Sequence, residues 1–87
     1  MLYMVIERFK NCDPDPVYRR YRERGRLIPE GLKYIDSWVQ SDFGRCFQLM
    51  ETDKPALFQQ WTAAWEDLVE FEIVPIITSK QAAETTN

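Results

Sequence analysis

The sequence predicts one α+β domain whose four strands and two helices follow the order β-α-β-β-α-β. Three observations lead to this prediction. The chain has 87 residues, of which 45% are hydrophobic, a length and composition typical of a single globular domain. Four short segments are apolar throughout or alternate between apolar and polar residues, as strands do. Two further segments follow Asp and Pro residues, which favour helix starts, and one of them has apolar residues at helical spacing.

The four strands are predicted at residues 2–9, 32–40, 45–51 and 69–77. The first is apolar on both alternating sides, which indicates a central strand covered on both faces. The second and third are joined by a short turn and form a hairpin. The second carries Asp36 and the fourth carries Pro75, which cannot donate a hydrogen bond to a neighbouring strand. Both are therefore predicted at the edges of the sheet.

The two helices are predicted from their start signals. Either of two Asp–Pro pairs in the segment 11–16 fits the N-cap and first position of the first helix, which is expected to end at Gly25. The second helix is expected to be capped by Asp53, with Pro55 in its first turn. Its apolar face comprises Leu57, Trp61, Ala64, Trp65 and Leu68.

Two β-α-β units with right-handed crossovers give an antiparallel sheet in which the strands lie in the order fourth, first, third, second. Both helices then cover the same face, which is the ferredoxin-like arrangement. We expect this domain to occupy residues 1–78. Residues 79–87 are polar and lack an apolar pattern, which predicts a flexible C-terminal tail.

The alternation also predicts which side chains lie beneath the helices. We expect the covered set in the third and fourth strands to be Phe47, Leu49, Phe71 and Ile73. For the first two strands the pattern leaves the choice of face open. The preferred interpretation puts on the bare face Tyr3, Val5, Glu7 and Phe9 from the first strand, and Tyr34, Asp36 and Trp38 from the second. Such an aromatic bare face favours a homodimer in which two sheets pack face to face.

Composition excludes several classes of function. The net charge of -3 argues against a nucleic-acid or anionic-membrane partner. The absence of histidine excludes His-based triads and His-ligated zinc or haem, and no motif for a metal or another cofactor is present. No apolar run is long enough for a signal peptide or a membrane span. Cys12 and Cys46 are far apart and predict free thiols, which favours a cytoplasmic protein.

Basic residues are concentrated in one predicted helix, where arginines occupy positions 19, 20, 22, 24 and 26. Arg19, Arg22 and Arg26 would share one stripe of that helix and are candidates to bind an anion or an acidic partner. The plainer interpretation is a solvated helix face whose long side chains cover apolar surface.

Polar and aromatic residues of the sheet form the candidate ligand site. Tyr34 and Asp36 provide a proton donor and an acceptor, and Trp38 provides a wall. Glu7 and Gln48, from the two central strands, are expected to join them. A dimer seam is the plainer interpretation of the aromatic strand. Trp61 and Trp65 are interpreted as core residues, with the lining of a pocket as the alternative.

Several stretches of the sequence resemble a known family. They are MLYMVIERF, DPVYRRYRERGR, RCFQLMET and DLVEFEIVP. In these stretches the chain is similar to the domain-of-unknown-function family 3303, a set of short bacterial proteins. The resemblance implies a dimeric α/β barrel of the ferredoxin-like type. It implies no catalytic residue or cofactor, because the family has no established activity.

Two functions are compatible with these observations. The first is a small-molecule-binding dimeric α/β barrel that needs no cofactor, and whether it also catalyses a reaction stays open. The second is a non-catalytic interaction or regulatory module that uses the arginine-rich helix or the bare face of the sheet. An enclosed cavity with a perturbed carboxylate would favour the first function.

Overall fold

The computed structural model describes residues 1–86 and has the predicted order of elements. The strands are β1 (Leu2–Phe9), β2 (Lys33–Val39), β3 (Cys46–Glu51) and β4 (Val69–Ile76). The helices are α1 (Asp15–Arg24), α2 (Leu57–Ala63) and α3 (Ser79–Thr85). The predicted ferredoxin-like α+β fold is confirmed.

The strands form one antiparallel sheet in the order β2-β3-β1-β4, as predicted. β1 lies at the centre, where Val5 has Gln48 of β3 on one side and Ile73 of β4 on the other. The strand that carries Asp36 and the strand that carries Pro75 are the two edges. The connectivity therefore places the polar side chains of two central strands, β1 and β3, next to each other.

Local signals define the start of each helix in different ways. Before α1, a side-chain oxygen of Asp13 accepts a hydrogen bond from the backbone N–H of Asp15 at 3.1 Å, so the first Asp–Pro pair begins the turn. The predicted cap of α2 is wrong, because that helix starts at Leu57 and no side chain caps it. Thr52, rather than Asp53, accepts a backbone N–H there. A tight turn therefore leads into α2 without a capping aspartate.

The main core lies between the sheet and α2. Val5 and Met50 are fully buried, and Trp61 is only 2% exposed. The rings of Tyr3 and Phe58 meet edge to face with centroids 4.9 Å apart. Burial of one such side chain contributes about 1.5–3 kcal/mol. In contrast, α1 buries none of its residues completely, so its contact with the sheet is looser.

The prediction of the covered face is correct for β4 and wrong for β3, and the preferred interpretation of β1 is wrong as well. Phe71 and Ile73 pack under the helices, whereas Phe47 and Leu49 lie on the open face. The side chains of β1 and β3 that lie beneath the helices are Tyr3, Val5, Glu7, Phe9, Cys46, Gln48 and Met50. Both alternating sets of β1 and β3 contain large apolar residues, so alternation alone does not identify the covered side.

A β-bulge in β2 separates three residues that were predicted to share a face. The register shifts between Tyr34, which lies opposite Met50, and Asp36, which lies opposite Leu49. Because Met50 is on the covered face and Leu49 is on the open face, Tyr34 turns towards the helices. Asp36 and Trp38 remain on the open face. An extra residue in one strand reverses the alternation at that point.

The C-terminal segment forms α3, where the sequence predicts a flexible tail. Thr78 and Gln81 form a reciprocal capping box at its start. None of the α3 side chains is buried, so α3 adds nothing to the core. Within residues 1–86, no helix has the length and apolar character needed to cross a membrane.

Candidate functional site

A pocket of about 140 Å³ lies between α1 and the covered face of the sheet. α1 contributes Val17, Tyr18 and Tyr21 to its lining, and none of the α1 side chains is fully buried. Its apolar and aromatic walls comprise Phe9, Val17, Tyr18, Tyr21, Val39, Trp61 and Trp65. Its polar lining comprises Glu7, Arg26, Ser37, Cys46 and Gln48. Tyr21 is 43% exposed and Val39 is 42% exposed, so these two side chains border its mouth.

A chain of hydrogen bonds crosses the floor of the pocket. The side-chain amide of Gln48 donates to a carboxylate oxygen of Glu7 at 2.8 Å, and both side chains are buried. The amide oxygen of Gln48 accepts a longer bond, 3.4 Å, from Arg26. Only one orientation of the amide satisfies both partners, because Glu7 needs a donor and Arg26 needs an acceptor. Gln48 therefore connects the Glu7 carboxyl to the guanidinium of Arg26.

Burial shifts the acid–base properties of this floor. It raises the pKa of Glu7, an effect that hydrogen bonds from Gln48 and Cys46 and the charge of Arg26 only partly oppose. Burial, followed by the nearby Glu7 charge, raises the pKa of Cys46 to about 12. Burial also raises the pKa of Tyr18. The thiol of Cys46 is therefore protonated at neutral pH and is a poor nucleophile.

The backbone places Arg26 beside the pocket through a sharp turn. α1 is capped at its C-terminus by Gly25, whose φ is 72°, and Leu27 has a φ of 58°, which is uncommon for a non-glycine residue. The indole N–H groups of Trp61 and Trp65 both donate to the carbonyl of Arg26, at 3.1 and 3.0 Å. Two core side chains thus hold the peptide from which the guanidinium projects.

Aromatic rings hold the guanidinium of Arg26. Its central carbon lies 3.8 Å from the ring centre of Tyr34 and 5.2 Å from that of Tyr21. The hydroxyl of Tyr34 is 2.6 Å from the hydroxyl of Ser37, which fixes the ring from β2. Cation–π contacts of this kind contribute about 0.5–2 kcal/mol each.

The structure brings together three of the five predicted ligand-site residues. Glu7 and Gln48 are hydrogen-bonded, and Tyr34 joins them through Arg26. Asp36 and Trp38 lie on the opposite face of the sheet, because of the bulge in β2. The side chain of Asp36 accepts a hydrogen bond from the backbone N–H of Ser37 and has no contact with the pocket.

The predicted stripe of Arg19, Arg22 and Arg26 does not form. α1 ends before Arg26, so its side chain turns towards the sheet while Arg19 and Arg22 remain exposed on the helix. Arg20 binds both carboxylate oxygens of Asp67, at 2.8 and 2.7 Å, and also the carbonyl of Ala64. In the arginine-rich segment, Arg19 and Arg22 are therefore solvated and Arg20 forms an ion pair with Asp67. Only Arg26 of these four arginines lines the pocket.

Sequence reasoning missed Tyr18, Tyr21, Ser37 and Cys46 as lining residues. A signal for the two tyrosines was available, because they are three residues apart on a helix whose other positions are mostly charged. Such a pair predicts one aromatic side of α1 that faces the sheet. No comparable signal identifies Ser37, because its position on the covered face of the sheet depends on the bulge in β2.

The arrangement is suited to proton transfer and to binding of a small molecule. It combines one buried carboxyl, one guanidinium, a protonated thiol and apolar walls. Aromatic walls with a few convergent polar groups are typical of small-molecule pockets. Within residues 1–86, no three His, Cys, Asp or Glu side chains are grouped so that they could hold a metal ion.

Comparison with known proteins identifies the family. No curated protein and no solved structure shows significant similarity to the chain. The family model described as Domain of unknown function (DUF3303) matches residues 1–87, which is the whole chain. The chain therefore belongs to the domain-of-unknown-function family DUF3303.

Proposed function

We propose that the protein binds a small, largely apolar molecule in the pocket beneath α1, and that Glu7 exchanges a proton with it. One observation carries this proposal. A carboxyl group that is buried in the core, and fixed by Gln48, borders an aromatic pocket that opens to solvent beside Tyr21. No other carboxyl of residues 1–86 is buried.

A buried carboxyl is costly for the fold, which is why its position supports a function. Removing an ionised carboxylate from water is unfavourable unless a counter-charge or protonation compensates. Glu7 has no cation within ion-pair distance among residues 1–86, and an apolar residue would fit the alternation of β1 better. A titratable group perturbed by burial and facing a pocket is a typical sign of a binding or catalytic site.

The chemistry that this pocket supports is general acid–base catalysis without a cofactor. Burial raises the pKa of the Glu7 carboxyl, which makes it a stronger proton acceptor than an exposed carboxylate. Nucleophilic catalysis by Cys46 has less support, because burial raises the pKa of its thiol to about 12. If the protein is an enzyme, Glu7 is the residue that moves the proton.

The three tryptophans of the chain provide a direct binding test. Trp61 and Trp65 line the pocket, whereas Trp38 lies on the open face and serves as an internal reference. We expect small aromatic fragments to shift the two pocket indole N–H signals in ¹H–¹⁵N NMR spectra and to leave that of Trp38 in place. A library of such fragments that shifts none of the three signals, or shifts only Trp38, would contradict the proposal.

A matched pair of variants tests the role of Glu7. Glu7→Gln keeps a hydrogen-bond acceptor for Gln48 but removes the titration, so the pH dependence of fragment binding should disappear. Glu70→Gln changes an exposed carboxyl of β4 on the open face and should leave that dependence unchanged. An equal pH dependence in the wild type and in Glu7→Gln would remove Glu7 from the proposal.

We also propose that the open face of the sheet packs against a second copy of the chain. Half-buried apolar side chains cross its centre, and they are Leu2, Met4, Ile6, Phe47, Leu49, Val74 and Ile76. Exposed charges of both signs surround them, and they are Arg8, Lys33, Asp36, Arg45, Glu51, Glu70 and Glu72. An apolar centre with a polar rim is typical of a protein interface, and mixed charges allow a face to pair with itself.

A further inference from the structure

Within the described residues 1–86, the guanidinium of Arg26 forms no ion pair, unlike that of Arg20. Arg20 has two short bonds to Asp67, whereas no carboxylate among residues 1–86 lies within ion-pair distance of Arg26. Within this part of the chain, the one side-chain acceptor of Arg26 is Gln48, at 3.4 Å. A guanidinium has five N–H donors, so most of those in Arg26 are not used by this hydrogen bond.

The position of Arg26 is nevertheless firmly defined. Trp61 and Trp65 hold its carbonyl, and Tyr34 and Tyr21 flank its guanidinium. The neighbouring Leu27 adopts a left-handed backbone conformation that allows this placement. Strained backbone next to a pocket is retained when the surrounding contacts over-determine it. The structure thus fixes a positive charge at the pocket, and no carboxylate of residues 1–86 lies within ion-pair distance of it.

The size and walls of the pocket limit the body of the ligand. A volume of about 140 Å³ is close to that of cavities that accept one benzene ring, about 150 Å³. The walls around it include the rings of Phe9, Tyr18, Trp61 and Trp65. Aromatic walls favour a flat apolar body, which packs by offset stacking or by edge-to-face contact.

These observations deepen the proposed function, on which the following inference rests. We infer that the ligand is a small carboxylic acid with a flat apolar body, whose carboxylate binds the guanidinium of Arg26 while its body occupies the aromatic pocket. Arginine suits this role because its planar fork matches the two oxygens of a carboxylate. Gln48 then keeps its bond to Glu7 and directs the fork towards the ligand.

Binding of an acid at this place is coupled to a proton on Glu7. The titratable or charged groups near the Glu7 carboxyl are Arg26 after α1, Cys46 on β3 and Tyr18 on α1. Only Arg26 among them is positive, and a ligand carboxylate would engage it. The pKa of Glu7, already raised by burial, therefore rises further in the complex. Affinity should fall as pH increases through the pKa of Glu7.

The experiment compares benzoate with its neutral analogue benzamide, with the indole signals of Trp61 and Trp65 as the readout. We expect benzoate to bind the wild type at least about tenfold more tightly than benzamide, because hydrogen bonds to charged groups contribute more than neutral ones. This comparison needs no variant. Benzamide binding as tightly as benzoate would overturn the inference and leave the pocket as a binding site. Failure of both probes to bind would overturn the inference and count against the proposed function as well.

Variants of two arginines identify the group that recognises the charge. Arg26→Gln should reduce the affinity for benzoate by about tenfold or more and change that for benzamide little. Arg22→Gln, at an exposed position of α1, is the control and should change neither. If Arg26→Gln reduced the affinities for benzoate and benzamide equally, the variant would have damaged the pocket rather than removed charge recognition. That result would contradict the inference.

Discussion

The two faces of the sheet come from the same strands but carry different chemistry. The covered face holds Glu7 and Gln48, two polar side chains in hydrogen-bond contact under α1. The open face has an apolar centre in which Ile6 lies beside Phe47, and Met4 beside Leu49. One polar pair thus lies inside among apolar core side chains, and a band of large apolar side chains lies outside, and both depart from the usual division between surface and core.

This difference supports a separate role for each face of the sheet. A polar pair retained inside a small core supports a ligand site, because a purely apolar core would be easier to stabilise. An apolar band left outside supports an interface, because isolated domains rarely expose large contiguous apolar patches. The two proposals of a pocket and of a dimer therefore rest on opposite faces and can be tested separately.

The largest expected effect is a difference in the free energy of unfolding between a variant of the covered core and a variant of the open face. Trp61→Ala should lower the free energy of unfolding by about 3–5 kcal/mol, because it leaves a cavity beneath α2 and removes a bond to the Arg26 carbonyl. Trp38→Ala, at a side chain that is 50% exposed, should cost about 1 kcal/mol or less. Urea denaturation of both variants at low protein concentration measures the difference. Similar losses would contradict the assignment of the two faces.

The next effect concerns assembly through the open face. The proposed dimer predicts a solution mass of twice 10.4 kDa, which Leu49→Lys should reduce to that of one chain. The new lysine would lie beside Asp36, so the monomer should remain folded. Gln59→Lys, at an exposed position of α2, is the control. Light scattering across a dilution series makes the measurement, and a wild-type monomer at all concentrations would exclude the dimer.

The smallest expected effect compares two residues of β2 on either side of the bulge. Tyr34→Phe removes the bond to Ser37 but keeps the ring beside Arg26, so benzoate binding should weaken by about twofold to fivefold. Asp36→Asn lies on the other face and should leave binding unchanged. A greater loss in Asp36→Asn than in Tyr34→Phe would mean that the open face holds the site.

The sequence was sufficient to predict the fold because its signals are local. Alternation, the Asp–Pro pairs, Gly25 and Pro75 mark the ends and positions of the elements, and the handedness of crossovers then fixes the strand order. The covered face was not predictable in the same way. Phe47 and Leu49 are more hydrophobic than Cys46 and Gln48, yet packing of the whole sheet against α2 places the second pair inside.

The candidate site was predictable only in part for related reasons. Glu7 and Gln48 were expected to meet, since they belong to the neighbouring central strands. The face of the sheet on which the side chain of Tyr34 lies depends on a bulge, and no residue type in β2 predicts that bulge. The position of Arg26 depends on a turn after Gly25 and on two distant indole groups, so it could not be deduced from helical spacing.

The acidity of Glu7 follows from its burial and determines a pH dependence of stability. Its pKa is raised in the folded protein, so the folded state holds this proton more tightly than the unfolded state does. The contribution of Glu7 to stability is therefore complete below the pKa of the unfolded chain. It is lost as pH rises through the higher pKa of the folded protein. Glu7→Gln should consequently stabilise the protein more at neutral than at acidic pH.

The most direct test of the buried site is an NMR titration of the side-chain carboxyl carbons, assigned by comparison with Glu7→Gln. A short unstructured peptide that contains one glutamate provides the reference. We predict that Glu7 titrates at a higher pH than the glutamate of this peptide, because burial disfavours its charged form. Titration of Glu7 at the same pH as the peptide would contradict the account, since the carboxyl would then be solvated and not part of the pocket floor.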